Sequence, residues 1–359
     1  MNFSHKFYLL KRKDCGFIRR ANKIYPDMII VSRTPVRISF FGGGTDYPNY
    51  FLKMGGRVVG ACIDKYTHIS ISTPQPFFDH KYRIAYSQTE LTSSIDAIQH
   101  PSIRECLKLK DINRHLDVHI FSDLPARTGL GSSSSFTVGF LNALYALEGK
   151  RVTRQSLAEE ACFIEQSMIR ENVGSQDQFH AAFGGMNIFS FSERGTTAQP
   201  LLISRTKRVL LEDSLMLFYT GITRHASEIL HEQMEKTDTK QNDQYLKRMQ
   251  EMVEEFELLV SSSDGDRLLS KFGSMLDEGW NLKKQLSSKI SKEDIDGAYS
   301  KAKEAGALGG KLCGAGGGGF LLLLVPEKDQ AAVRSSLHPM IEVPFHFEDE
   351  GSKIIYMKE

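Results

Sequence analysis

The sequence predicts an α/β protein of two domains, on three observations. Its 359 residues exceed one domain of ordinary size and can bury two substantial cores. From Met28 to about Phe191, short strand-like runs alternate with helical ones. Beyond that stretch long helical patterns dominate, and the change falls between about 190 and 212. The expected division is a basic extension over 1–27, a first domain over 28–205 and a second over 206–359.

The first 27 residues carry seven Lys/Arg against Asp14 and Asp27, a formal +5 that leaves −4 for the remainder. No uninterrupted apolar core or small-residue cleavage site follows, which argues against a secretory leader. The hydrophobic pattern becomes strand-like only at Met28-Ile29-Ile30-Val31, so Met28 is expected to be the natural start or the domain edge. Ile29–Val31, Val36–Phe41, Thr67–Thr73, Tyr82–Tyr86 and Asp117–Phe121 are short and rich in β-branched or aromatic residues, as strands are. Helices are expected over Ser135–Leu147 and Ser156–Arg170, and Gly184-Gly185-Met186-Asn187 turns into a further strand. In the second half a strand over Ser214–Tyr219 precedes helices near Arg224–Lys236, Asp243–Ser261, Asp266–Leu286 and Lys292–Ala305. The polar stretch Thr237–Asp243 is a loop between helices, and Phe320–Val325 is a buried strand.

Composition narrows the partners. With 45 basic and 44 acidic side chains the formal charge is +1, which gives no footing for nucleic acid or an anionic membrane. Phe320–Val325, the longest apolar run, is far too short to span a bilayer. Cys15, Cys62, Cys106, Cys162 and Cys313 are scattered, odd in number and without metal-like spacing, as expected of reduced thiols in the cytoplasm. His115 and His119 lie in a strand-like run without a companion ligand motif, so a structural role is expected.

The chemistry concentrates in three glycine-containing segments that stand far apart. Gly129-Leu130-Gly131-Ser132-Ser133-Ser134-Ser135 runs straight into a helical pattern of Phe136, Phe140, Leu141, Leu144 and Leu147. A helix start carries backbone N–H groups without internal partners and about half a positive charge. Glycines let the backbone approach a ligand, and hydroxyls can donate to oxyanions or ligate a hard cation. One serine would be an ordinary N-cap; two glycines and four serines make an anion cradle. The other segments are Pro35-Val36-Arg37 through Gly42-Gly43-Gly44-Thr45-Asp46, and Gly314-Ala315-Gly316-Gly317-Gly318-Gly319. Lys311 is followed by Leu312, so no Walker P-loop is present, and no GxGxxG sits between a strand and a helix.

In this order, these segments resemble the three signature motifs of the GHMP small-molecule kinases, and the resemblance covers nearly all of 28–359. It implies a ribosomal-protein-S5-like α/β first domain, a ferredoxin-like second domain with added helices, and ATP and magnesium as cofactors. Gly129, Leu130, Gly131, Ser132, Ser133, Ser134 and Ser135 then match the loop around the ATP phosphates, with Ser133 and Glu165 as magnesium ligands. Glu165 also shares a helix face with Ala158, Ala161, Cys162, Met168 and Ile169, where a carboxylate without a partner would be costly. Asp177, in Gly174-Ser-Gln-Asp-Gln-Phe179, matches the catalytic carboxylate, and Arg37 matches the cation beside it. Gly43, Gly44, Thr45 and Asp46 match a sugar-binding segment, joined by Gly314, Gly316 and Gly317 of the third motif.

Departures from the family direct the choice of sugar. Phe41-Gly-Gly-Gly-Thr-Asp-Tyr47 lacks the Glu of the galactokinase branch, which argues against galactose. With Gln176–Gly185 and Tyr219–Arg224, the pattern looks most like the D-glycero-D-manno-heptose 7-phosphate kinase branch, which phosphorylates the anomeric hydroxyl. Fucokinase domains share part of it, so kinases of fucose or N-acetylhexosamines remain open, as does a non-catalytic sugar sensor. Arg224, Arg83 and Lys311 are candidates for the substrate phosphate, each also consistent with an ordinary surface or structural charge. Monomer and homodimer both remain open.

Overall fold

The computed structural model describes residues 28–74, 77–126, 128–222 and 227–358. The extension over 1–27 and the candidate Arg224 therefore lie outside the described residues.

The first half is built on an eight-stranded sheet. Its strands are β1 (Ile29–Phe41), β2 (Gly56–Ser72), β3 (Tyr82–Ala85), β4 (Thr89–Thr92), β5 (Leu116–Ser122), β6 (Met186–Ser192) and β7 (Gly195–Pro200), joined by β12 (Lys353–Lys358) from the far end of the chain. The two runs predicted at Ile29–Val31 and Val36–Phe41 are one strand, with register shifts at Val31/Ser32 and Pro35/Val36. Strand β2 changes partner along its length: Gly56–Ala61 pairs with β6, and Thr67–Ser72 with β5. The main path runs β12-β1-β2-β5-β3-β4.

Helices Ser132–Leu147, Arg154–Phe163 and Gln176–Phe183 bury one face of this sheet around Ile30, Ile69, Phe140, Leu144 and Phe179. The predicted second helix loosens after Phe163 into a π-helical turn, Ile164–Ile169. Such turns re-aim side chains and recur at functional sites.

The second sheet has four antiparallel strands in the order β11-β8-β10-β9, namely Ile341–Glu342, Leu215–Tyr219, Phe320–Leu324 and Gly309–Leu312. Long helices Asp243–Ser262 and Gly265–Leu286 cover it, within a residue or two of the predicted bounds. Every residue of Phe320–Leu324 is buried, which explains its unbroken apolar run. The halves join through one apolar cluster in which Val36, Ile38, Phe40 and Phe41 of β1 meet Leu217, Phe256, Phe272 and Phe320. Phe40 and Phe272 pack edge to face at 5.4 Å. This core holds β1, and with it Arg37, at the seam.

Candidate active site

The serine run starts a helix in the manner its composition predicts, three residues earlier than expected. Gly129 and Gly131 adopt positive φ (85° and 79°), and Gly131 caps the helix Ser132–Leu147 in the left-handed region. The first intrahelical bond runs from Ser135 N–H to Gly131 O (2.9 Å), so the amides of Ser132, Ser133 and Ser134 precede the ladder. Leu130 turns the other way, into the core between the halves, while its carbonyl accepts from Arg37 N–H at 2.9 Å. Ser135 Oγ is spent on Pro35 O, and Ser133 stands exposed at the loop surface.

One flank of the loop carries an ion pair. Arg37, 4% exposed, donates from Nε to Asp177 Oδ1 at 2.8 Å, with Nη2 2.5 Å from the same oxygen. Its Nη1 donates to Gly129 O at 2.9 Å, tying the pair to the glycine–serine loop. Burial alone would lower the Arg37 pKa, but the Asp177 carboxylate outweighs it and raises the guanidinium above its ordinary value. Oδ2 of Asp177 lies beside Gly131, where a Cβ would approach it to 3.2 Å. The Asp177 side chain keeps 27% of its surface exposed. One turn along its helix, His180 is buried against Gly60 and Phe189, and neither ring nitrogen has a partner among the described residues. Burial, then the Arg37 charge, push it down to about 3, so this wall of the site is neutral.

The other flank carries Glu165, 1% exposed within the π-helical turn. Its Oε2 accepts from Ser134 Oγ (2.9 Å) and Gln178 Nε2 (2.6 Å). Thus Ser134, not the neighbouring Ser133, is the serine whose hydroxyl meets Glu165. Oε1 has no hydrogen-bond partner among the described residues; the nearby Thr137 hydroxyl is directed at Ser133 O, 3.3 Å away. Burial raises the carboxyl to about 7, partly offset by Thr137, Ser134 and Gln178. A buried carboxylate with an unfilled oxygen beside a serine hydroxyl fits a hard cation. No three His, Cys, Asp or Glu groups cluster as a metal cage among the described residues, so such a cation would need phosphate or water oxygens to complete its shell.

The first and third glycine segments converge on the same place. Asp46 is 1% exposed; its Oδ1 accepts from Gly44 N–H (3.0 Å) and its Oδ2 from Gln176 N–H (3.1 Å). It therefore splices the first segment to the helix that bears Asp177, and burial followed by the Asp177 charge raises its pKa. Thr45 is buried on Gly42 O and Arg57 O, and a Cβ on Gly43 would lie 3.6 Å from Gln176 Nε2. Gly314 lies so close to Gly129 that a Cβ would come within 2.3 Å of its Cα. Gly316 and Gly317 instead turn toward Ile290, whose carbonyl accepts from Gly317 N–H at 2.7 Å.

Two phosphate candidates are engaged with other protein groups. Arg83 pairs with Asp117 on the outer part of the sheet, and Lys311 is buried with Nζ on Phe40 O at 2.9 Å. A cavity of about 770 Å³ lies at the other end of the Asp177 helix, lined by Gly184, Asn187, Arg205 and Arg208 among others. It has none of these reactive pairs. Sequence reasoning passed over Gln178 and Lys283; Gln178 is one of several polar residues in its motif, and Lys283 stands beside Lys284, so neither leaves a local signal.

The chain is similar to known proteins. Residues 99–185 match the GHMP kinases N terminal domain, and residues 257–338 match GHMP kinases C terminal. A D-glycero-alpha-D-manno-heptose 7-phosphate kinase of Campylobacter jejuni is 28% identical over 90% of this chain and 98% of its own. An L-fucokinase/L-fucose-1-P guanylyltransferase of Bacteroides fragilis is also 28% identical, over 87% of this chain but 36% of its own. Among solved structures, a D-glycero-D-manno-heptose 1-phosphate kinase of Bacteroides thetaiotaomicron superposes with a TM-score of 0.73. It is 23% identical, over 92% of this chain and 99% of that one.

Proposed function

We propose that this chain, which belongs to the GHMP kinases and is a phosphotransferase acting on an alcohol, transfers the ATP γ-phosphoryl to the anomeric C1 hydroxyl of D-glycero-D-manno-heptose 7-phosphate. The observation that carries the reaction type is the Arg37–Asp177 pair, bonded to Gly129 O at the mouth of the phosphate loop. The choice of sugar is supported by the likeness to the Campylobacter jejuni enzyme over nine-tenths of the chain.

The residues divide the work as follows. The free amides of Ser132–Ser134 and the start of their helix bind the ATP phosphates. The C1 oxygen attacks the γ-phosphorus, the bond to the β–γ bridging oxygen breaks, and ADP leaves with that electron pair. Asp177 receives the hydroxyl proton on Oδ2, the oxygen Arg37 leaves free, and passes it to solvent through its exposed edge. Arg37 holds Asp177 by Oδ1, leaving Oδ2 to face the hydroxyl, and offsets charge on the transferring group. Glu165, with Ser133 and Ser134 at the loop, would hold magnesium, which supplies charge neutralisation to the phosphates. The first segment, through Asp46 and its neighbours, and Gly314 of the third frame the sugar side. The buried thiols Cys62, Cys106, Cys162 and Cys313 are free, as suits a reducing cytoplasm.

The likeness to the Bacteroides fragilis protein favours a second reading, fucose as acceptor at the same site. Incubation with ATP and a panel of free and phosphorylated sugars, read by ADP release, separates the two. Release with the heptose 7-phosphate and little with fucose is the expected result; release with fucose alone would replace the first reading by the second.

A further inference from the structure

We infer that Lys283 is a positioning residue for phosphoryl transfer, fixing the Gly314–Ala315 peptide of the third glycine segment against the phosphate loop. The inference rests on the phosphotransfer reading above, but on no particular sugar.

Lys283 lies near the end of the helix Gly265–Leu286, 9% exposed. Its ammonium donates to Leu312 O at 2.8 Å and to Gly314 O, and no carboxylate lies within 4.0 Å of it among the described residues. Lys311, also buried, donates to Phe40 O and to no other group among the described residues. Two buried cations without a counter-charge are expensive, and an apolar residue would fill either place more cheaply. Burial and the charge of Lys311 push Lys283 down to about 7, with Arg37 adding and Cys313 opposing. Burial likewise brings Lys311 down to about 8.

The contacts of Lys283 run in one line toward the reacting groups. It holds Gly314 O; Gly314 rests on Gly129; Gly129 O accepts from Arg37; and Arg37 holds Asp177. In a trans peptide the N–H points opposite the preceding carbonyl. Fixing Gly314 O on Lys283 therefore turns the Ala315 N–H away from Lys283, and that amide has no partner among the described residues. An oriented free amide beside a phosphate loop is a donor for a phosphoryl oxygen. The same geometry acts at the other carbonyl: Leu312 O faces Lys283, and Cys313 N–H faces away to Phe320 O at 2.8 Å.

Lys283→Met and Lys311→Met remove the same charge from similar burial, but only the first releases the glycine segment. Each is measured with whichever sugar the wild type accepts. Lys283→Met is expected to lower kcat about 30-fold with ATP KM changed less than about threefold, and Lys311→Met to lower kcat by less than about threefold. Emission of Trp280, the single tryptophan and one turn before Lys283, verifies that each variant is folded. A readout independent of the sugar is hydrogen exchange over 313–319 with a non-hydrolysable ATP analogue. Protection gained by the wild type and by Lys311→Met, and lost in Lys283→Met, supports the inference even if no panel sugar reacts and the substrate reading fails. Equal losses in both variants, or undiminished protection in Lys283→Met, would overturn it. Should Lys283→Met not fold, Lys283→Gln, too short to reach Gly314, is read in the same way.

Discussion

The two flanks of the phosphate loop each present one carboxylate, in opposite surroundings. Asp177 sits on a guanidinium and is part exposed, so its charge is compensated before any ligand arrives. Glu165 is sealed from solvent and, among the described residues, has the neutral donors Ser134 and Gln178 on one oxygen and no hydrogen-bond partner on the other. The first environment suits a group that exchanges a proton with a substrate hydroxyl. The second suits a group whose charge is best stabilised by a bound cation. On the proposed reading, one loop separates proton handling from cation binding by placing the flanks on different helices.

Removing the Asp177 charge while keeping its shape tests the first flank. Asp177→Asn should lower kcat by about 10³-fold with ATP affinity, measured by calorimetry, nearly unchanged. A loss of affinity instead of turnover would put Asp177 on the binding side. For the second flank, Glu165→Gln should raise the magnesium concentration needed for half-maximal activity by about 10- to 100-fold, seen in a magnesium titration at fixed ATP. An unchanged requirement would remove Glu165 from the cation site.

A finer contrast lies within the serine run. Ser134 bonds Glu165, whereas Ser133, named from the resemblance, is exposed. If the Glu165 partner is also the ligand, Ser134→Ala raises the magnesium requirement about tenfold and Ser133→Ala by less. The reverse order would mean that the exposed hydroxyl turns in when nucleotide binds.

The smallest effect is one of stability. With its folded pKa near 7, above the ordinary 4.5, Glu165 keeps a proton that the unfolded chain gives up. Its contribution is complete below about pH 4.5 and lost as pH rises through about 7. Without ligands, wild-type Tm should therefore fall by roughly 2–4 °C more than that of Glu165→Gln between pH 5 and 7.5. Parallel curves would show that the carboxyl is charged in the folded protein throughout.

The flanks also differed in how legible they were. The loop itself was readable because positive-φ glycines and a helix-starting serine cluster leave a local mark, and Gly129, Gly131 and the helix from Ser132 have that geometry. The Arg37–Asp177 contact spans 140 positions and leaves no local periodicity; only the family resemblance placed the two together. Glu165 was legible as a buried carboxylate from its apolar neighbours, but the π-helical turn that aims it was not. Likewise β2 was only half seen, since Gly56, Gly60, Asp64 and Lys65 mask a strand of 17 residues that changes partners midway. Strand β12 went unassigned because its sheet partner β1 lies at the other end of the chain. Lys283 was hidden for a related reason: beside Lys284 on an amphipathic helix, its burial depends on a glycine segment about 30 residues on.

The central claim is phosphoryl transfer to an anomeric sugar hydroxyl at the Asp177 flank. The most direct measurement is 31P–1H correlation NMR of the product formed from ATP and D-glycero-D-manno-heptose 7-phosphate. The account predicts one new phosphorus resonance coupled to the anomeric proton, formed one-for-one with ADP. A new phosphate coupled to any other proton, or no transfer to the sugar at all, would contradict it.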